Sequence, residues 1–268
     1  MTLCRAFLGT LSALLVLLAL LGGCTTFTVG ADGKEVRVQK EPVDPERVSK
    51  VRLELAGLYF SRGQLPTARE EINAALAAKP DAAEAFALRG LVYAAMGEAR
   101  SAEESFLRGL QLAPLDAGIM HNLGWFYCQQ RRFAEADTQF DRAMAQPQYR
   151  DGARTLLAQG VCQARTERWT EAERSLSRAY ELDPANPVTA FNLAEVLVRQ
   201  GELERARFYV RRIHAVPEQV TAQSLWLGAR IERRLGNLDS LQEHGRQLRE
   251  RFPQSPETFQ FERGRFDD

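Results

Sequence analysis

The sequence predicts an all-α fold: a right-handed solenoid of about six helix-turn-helix units stacked in a row. Three observations predict it. Turn positions recur about every thirty-four residues, an apolar stripe recurs in phase with them, and a proline closes each unit. The turn positions are Gly63, Gly97, Arg131, Glu167, Gly201 and Gly236, at intervals of 34, 34, 36, 34 and 35 residues. A two-helix unit of that length cannot bury its apolar face alone, so its neighbours must cover it.

Packing explains the residues between the marks. The first helix of a unit carries a small residue and, three positions later, a bulky one: Ala56 and Tyr59, Gly90 and Tyr93, Gly124 and Tyr127. Closely crossing helices leave room only for Gly or Ala at the contact, and the ring fills the gap beside it. The second helix repeats small, large and small at i, i+4 and i+7: Ala68, Ile72, Ala75; Ala102, Phe106, Gly109; Ala136, Phe140, Ala143; Ala172, Leu176, Ala179. That spacing draws one apolar stripe along a helix. Pro80, Pro114, Pro147, Pro184, Pro217 and Pro253 then stop each hairpin. An ordinary helical bundle would need this phasing by accident. The pattern resembles the tetratricopeptide (TPR) repeat, with units at 49–82, 83–116, 117–150, 153–186, 187–220 and 222–255 in a domain spanning 48–254, and a tail over 255–268. The last unit departs from it, with Leu241 and Gly245 where Ala and a large residue are usual, so that hairpin is expected to pack differently or to serve as a cap.

The first 23 residues differ in kind from the rest. Arg5 is their only charge, and residues 7–21 are nearly all apolar. Fifteen apolar residues fall short of the roughly 20 that a spanning helix needs and match the apolar region of a secretory signal. The run ends in Leu21-Gly22-Gly23-Cys24. This resembles the lipobox of bacterial lipoproteins, in which the cysteine thiol receives diacylglycerol and the signal is cut before it; the alternative is soluble secretion with a coincidental cysteine. By the same resemblance Thr25, rather than an aspartate, implies sorting to the outer membrane. Residues 24–47 are polar and rich in turn formers, with no helical period, and read as a lipidated tether.

Lys plus Arg equals Asp plus Glu at 35 each, and loss of Arg5 with the signal leaves 34 against 35. No global field draws such a chain to nucleic acid. Beyond Cys4 and Cys24, two cysteines remain, Cys128 and Cys162, in the first helices of the third and fourth units. Successive first helices are neighbours in a solenoid. In an exported protein a disulfide is therefore expected, against the alternative of two buried thiols. Zinc would want four ligands, and no histidine clusters nearby.

The search for chemistry finds no catalytic constellation, no metal site, and no cofactor or small-molecule substrate motif: no phosphate loop, nucleophile elbow or dinucleotide fingerprint. His121, His214 and His244 lie in different units and read as surface or packing residues. The basic runs Arg205, Arg207, Arg211, Arg212 and Arg230, Arg233, Arg234 are interleaved with Glu202, Glu204 and Glu232, as on a solvated helix face.

The concave face is the better candidate. First helices line the inner groove of a TPR superhelix, and the inward positions hold Leu53 and Phe60, then Ala87 and Leu91, in the first two units. The third and fourth supply His121, Asn122 and Trp125, then Leu157, Val161 and Arg165. The fifth and sixth supply Phe191, Asn192, Glu195 and Arg199, then Trp226 and Arg230. Large apolar residues with interleaved polar groups compose a peptide-binding surface. An asparagine amide both donates and accepts, so Asn122 and Asn192 suit the main chain of an extended peptide. Alternatively, these asparagines bond within the solenoid and the tryptophans belong to the core.

With six units behind a lipobox and a cysteine in each of units three and four, the chain resembles the PilF/PilW family of type IV pilus biogenesis and stability proteins. The ending adds to this, with Leu225-Trp226-Leu227-Gly228-Ala229-Arg230-Ile231-Glu232, then Leu235-Gly236-Asn237 and Leu248-Arg249-Glu250-Arg251-Phe252-Pro253. The resemblance implies a pilotin: an outer-membrane lipoprotein on the periplasmic face that binds secretin subunits and promotes assembly or stability of the pore through which the pilus leaves. It also implies that the cysteine pair stiffens the middle of the groove. A TPR lipoprotein of another envelope machine, resembling NlpI in docking peptidoglycan hydrolases, shares the same groove and anchor and differs in its partner.

Overall fold

The computed structural model describes residues 27–29, 35–37 and 44–266. The chain divides into two units, residues 1–47 and 48–268. The signal and lipobox expected over residues 1–24 lie outside the described residues. Within the first unit, β1 (Phe27–Val29) and β2 (Glu35–Arg37) pair antiparallel, Phe27 opposite Arg37 and Val29 opposite Glu35. The tether expected there thus carries a short ladder that turn-rich composition alone did not reveal.

The rest is helical. Six hairpins follow in chain order: α1 (Pro45–Ser61) with α2 (Leu65–Ala78), α3 (Ala83–Ala95) with α4 (Ala99–Leu112), and α5 (Ala117–Gln129) with α6 (Phe133–Met144). Then come α7 (Gly152–Ala164) with α8 (Trp169–Leu182), α9 (Pro187–Gln200) with α10 (Leu203–His214), and α11 (Ala222–Arg234) with α12 (Leu238–Arg251). From the second hairpin on, the two helices of a hairpin pack on each other, and each second helix packs on the next first helix. Successive first helices also touch, α3 with α5, α5 with α7, α7 with α9 and α9 with α11, which makes one continuous inner wall.

The turn marks share one conformation. Gly63, Gly97, Gly201 and Gly236 have φ between 71° and 83°, and Arg131 and Glu167 adopt the same left-handed region at 60° and 57°. In each turn the next residue's N–H reaches back five residues, from Gln64 to Tyr59, Glu98 to Tyr93, Arg132 to Tyr127, Arg168 to Gln163, Glu202 to Leu197 and Asn237 to Glu232, at 2.9 to 3.1 Å. This back-bond satisfies carbonyls that the ending helix leaves open. A side chain in that region costs about 1–2 kcal/mol, so the two non-glycine turns are held by the hairpins around them.

The small residue of a first helix meets the large residue of the second helix sixteen positions on, rather than the ring three positions after it that the sequence suggests. A Cβ added to Gly90 would stand 2.6 Å from the ring of Phe106, one on Gly124 2.8 Å from Phe140, and one on Gly160 2.5 Å from Leu176. In the last unit the same offset pairs Gly228 with His244, where an added Cβ would lie 2.7 Å from the imidazole. The buried stripe of α12 is nonetheless Leu241, Gly245 and Leu248, the register expected from the repeat, with Gly245 where other units carry a large residue. Gly245 instead faces α13 (Pro256–Glu262), whose Phe261 fills the space a side chain would need. Part of the tail expected over 255–268 is therefore a capping helix. It packs on α11 and α12, and the Thr258 hydroxyl donates to the Phe252 carbonyl at 2.7 Å.

The core runs along the stack in linked clusters, the largest centred on Phe106, Met120, Leu123, Phe126 and Phe140. Charged side chains join neighbouring second helices on the outside: Arg132 pairs with Glu103 at 2.7 Å, Arg168 with Asp137 at 2.6 Å and Arg205 with Glu173 at 2.6 Å. Within the basic runs, Arg205 pairs with Glu173 and Arg207 with Glu204, Arg207 and Arg211 face the buried Glu232, and Arg233 and Arg234 donate to the backbone carbonyls of Gly264 and Val198. Partly exposed pairs of this kind contribute little each, about 0–1 kcal/mol.

Candidate binding groove

The inner wall is built by one face of the first helices, whose opposite face is spent on the core. On α9 the division is visible in sequence: Leu193, Ala194, Leu197 and Val198 are buried, while Phe191 and Asn192 are half-buried and Glu195 and Arg199 exposed. Six of the residues predicted for the groove meet in a single concavity between the fourth, fifth and sixth units. Val161 and Arg165 come from α7 and its end, Asn192, Glu195 and Arg199 from α9, and Arg230 from α11, around a cavity of about 270 Å³. Its floor is apolar, formed by Leu176, Val196 and Leu227. Trp169, the first residue of α8, closes one side. Trp169 lies on a second helix, outside the first-helix positions expected to line the groove; its signal in the sequence is a tryptophan directly after a turn, where the repeat elsewhere has Leu, Ala or Phe.

Trp125 borders the same region. It is half-buried, and the Arg165 guanidinium lies 5.3 Å from its ring centre. Leu157 and Phe191 are half-buried against the core beneath α7 and α9. Leu53 and Phe60 pack partly into the first unit, and Ala87 and Leu91 into the third-unit cluster. Asn122 is half-buried. Asn192 donates its side-chain N–H to the Val188 carbonyl at 2.8 Å, within its own helix, which leaves its amide oxygen as an acceptor. Desolvation by the surrounding walls pushes the Glu195 carboxyl above its ordinary value, although the side chain still reaches solvent; Arg230 and Arg199 pull it the other way.

Two predicted groove residues are placed otherwise. His121 is 4% exposed, its Nδ1 2.8 Å from the Thr155 hydroxyl, which lies 2.6 Å from the Tyr149 hydroxyl. Burial, seconded by Arg154, drives its pKa down to about 4. It is a core residue joining the third and fourth units. Trp226 stacks on Phe266, ring centres 4.9 Å apart, and Phe266 also meets Phe261 of the cap, so Trp226 belongs to the closed end of the solenoid.

The sulfurs of Cys128 and Cys162 are bonded, with Cα atoms 5.9 Å apart, and both residues are buried beneath the groove wall. The expected disulfide therefore ties α5 to α7 directly behind Arg165. The histidines the sequence scattered are partly reunited: the rings of His214 and His244 stand 5.4 Å apart, edge to face. Among the described residues no group of three or more His, Cys, Asp or Glu side chains is placed to hold a metal ion. Among them also, no helix is long and apolar enough to cross a membrane.

Comparison with known proteins agrees with this architecture. Tetratricopeptide-repeat models match residues 57–97, 83–114, 121–187 and 163–222. The type IV pilus assembly protein PilF of Pseudomonas aeruginosa is 27% identical over 252 residues, which span 94% of this chain and 97% of that protein. The crystal structure of PilW, a widely conserved type IV pilus biogenesis factor, superposes with a TM-score of 0.73 at 31% identity, covering 80% of this chain and 97% of that one. The Pseudomonas aeruginosa PilF structure shares the fold with a TM-score of 0.72 at 23% identity, over 82% of this chain and 99% of its own.

Proposed function

Because the chain belongs to the PilF/PilW family of tetratricopeptide-repeat proteins of type IV pilus biogenesis, we propose that it is a pilotin: an outer-membrane lipoprotein that grips a secretin subunit and promotes localisation, assembly or stability of the pore. The observation that carries this reading is the concavity shared by α7, α9 and α11, where an apolar floor is ringed by groups that can hold a polypeptide main chain and its side chains. In this account acyl chains on Cys24 supply the address and the solenoid supplies the grip. One chain anchors only marginally and two or more anchor firmly, so diacylation followed by a third acyl group, such as palmitate, would fix the protein on the periplasmic face. The protein performs no reaction itself: its work is to hold another polypeptide in place.

The test is co-purification of the full chain from solubilised outer membranes. Secretin subunits recovered with the wild type, and lost together with outer-membrane location in Cys24→Ser, are the expected result. Recovery of peptidoglycan hydrolases instead, or a deletion strain that still assembles complete secretin rings and twitches normally, overturns the pilotin reading.

A further inference from the structure

The inner wall continues past the concavity onto the sixth unit. Trp226 holds there the place that Phe191 holds in the fifth, each ten residues ahead of its turn glycine, on two first helices that touch. Along α11, Trp226, Arg230 and Arg233 stand at i, i+4 and i+7, which is one face of a helix, and Arg230 lines the concavity. The chain's own tail covers both ends of that stripe. The Phe266 ring stacks on Trp226 with centres 4.9 Å apart, the Arg233 guanidinium lies 4.4 Å from its centre, and Arg233 donates to the Gly264 carbonyl at 3.3 Å. Gly264 brings the ring there. At a φ of 63° it makes the left-handed turn of the repeat glycines, and the Arg265 N–H reaches back five residues to the Gln260 carbonyl at 3.1 Å, as the unit turns do. Where a repeat would start its second helix, the chain lays Phe266 on Trp226 instead, half-buried, with the Phe261 ring edge-on at 5.5 Å.

We propose that Phe266 is a built-in plug: it occupies an aromatic-reading subsite at the sixth-unit end of the inner wall, and a partner segment engages that end by setting an aromatic side chain of its own in place of Phe266. The inference rests on the concave face being the partner-binding surface, and it names the kind of residue that this end of the face takes. The occupant displays the chemistry of the subsite. Trp226 offers an indole, and Arg233 supplies a cation over the ring together with an N–H for the main-chain carbonyl two residues before it. Ring-on-ring and cation–π contacts are each modest at a partly exposed site, so a ring held by them can exchange. Phe261 differs in this respect. It fills the space beside Gly245 that a side chain would need, and so belongs to the packing of the cap. A tethered plug competes at an effective concentration on the order of millimolar. It therefore turns away an isolated aromatic group and yields to a segment that engages the neighbouring concavity as well.

Nuclear magnetic resonance of the Trp226 indole N–H tests the proposal, with the isotope-labelled full chain in detergent titrated with the tail tetrapeptide Arg-Gly-Arg-Phe or with Arg-Gly-Arg-Ala. The signal is assigned by its loss in Trp226→Phe. In Phe266→Ala the Phe peptide is expected to shift it saturably, at a concentration roughly tenfold below that of the Ala peptide, and wild type should need roughly tenfold more of the Phe peptide because its own ring competes. Phe266→Tyr should behave as wild type. Gly264→Ala, which strains the turn and keeps the ring, should fall between wild type and Phe266→Ala. Equal response of wild type and Phe266→Ala to the Phe peptide, or equal response of Phe266→Ala to the two peptides, overturns the proposal. So does a Phe266→Ala protein whose sixth unit no longer folds by circular dichroism and thermal unfolding, since the ring would then be part of the core. Co-purification separates this inference from the pilotin reading, and a greater yield of secretin with Phe266→Ala than with wild type supports both. Competition at Trp226 with no secretin recovered leaves the plug and removes the pilotin role; secretin recovered, with wild type and Phe266→Ala alike in both assays, does the reverse.

Discussion

The guanidinium of Arg165 lies 5.3 Å from the ring centre of Trp125, across the seam between the third and fourth units. A cation over an indole face is attracted by the ring's quadrupole. The contact fixes the orientation of a tryptophan that borders the concavity without being buried in the core. Trp125→Ala should therefore weaken partner binding by ~2 kcal/mol or more, as loss of an aromatic anchor does, with little change in helicity. Isothermal titration beside circular dichroism checks it, and unchanged affinity in a folded variant rejects it.

Behind this contact the Cys128–Cys162 bond closes a loop of 34 residues. Cross-linking a loop of that length restricts the unfolded chain by about 3–4 kcal/mol in the chain-entropy account. The Cys128→Ser, Cys162→Ser double variant should lose stability of that order in urea unfolding. Equal stability of the oxidised protein and the double variant would assign the bond no structural role.

Acid should loosen the third–fourth junction before it reaches the carboxylates. His121 has a folded pKa of about 4, below its unfolded value, so the folded state resists its protonation. Its contribution is fully present above the unfolded value of roughly 6.5 and is lost as pH falls from there to about 4, up to about 3 kcal/mol in all. His214, driven down to about 4 by burial and by His244, acts in the same direction. Urea midpoints across this window should fall with pH in the wild type and fall less in His121→Gln; parallel curves would remove His121 from the account.

The turn positions make a prediction of opposite sign. Arg131 and Glu167 hold left-handed backbone that glycine adopts without strain. Relief of that strain exceeds the extra freedom glycine gives the unfolded chain, so Arg131→Gly should stabilise the protein by about 0.5–1 kcal/mol. Thermal unfolding of the single variant decides it, and a lowered midpoint contradicts it.

What the sequence made legible is what the repeat enforces. The period places Arg131 and Glu167 in the same turn as four glycines because packing of whole hairpins outweighs the local preference of one residue. Departures from periodicity were opaque for the same reason. His121 occupies an inward-facing repeat position, yet the two extra residues of the 36-residue interval fall near Tyr149, and the Tyr149–Thr155 pair covers the imidazole. The last unit keeps the register but puts Gly245 where Phe106 and Phe140 stand elsewhere, and the ring that fills the space, Phe261, comes from a capping helix that the repeat does not foretell. Trp226 was drawn into the groove by its position, but only the folded tail reveals Phe266 upon it. Between the fourth and sixth units six of the predicted residues, Val161, Arg165, Asn192, Glu195, Arg199 and Arg230, do converge.

The most direct test of the central claim is a photo-reactive amino acid placed in cells that make type IV pili, either at Phe191 on the groove-lining α9 or at Phe208, exposed on α10. The account predicts that Phe191 cross-links to a secretin subunit and Phe208 does not. A cross-link to the secretin from Phe208 alone would contradict it.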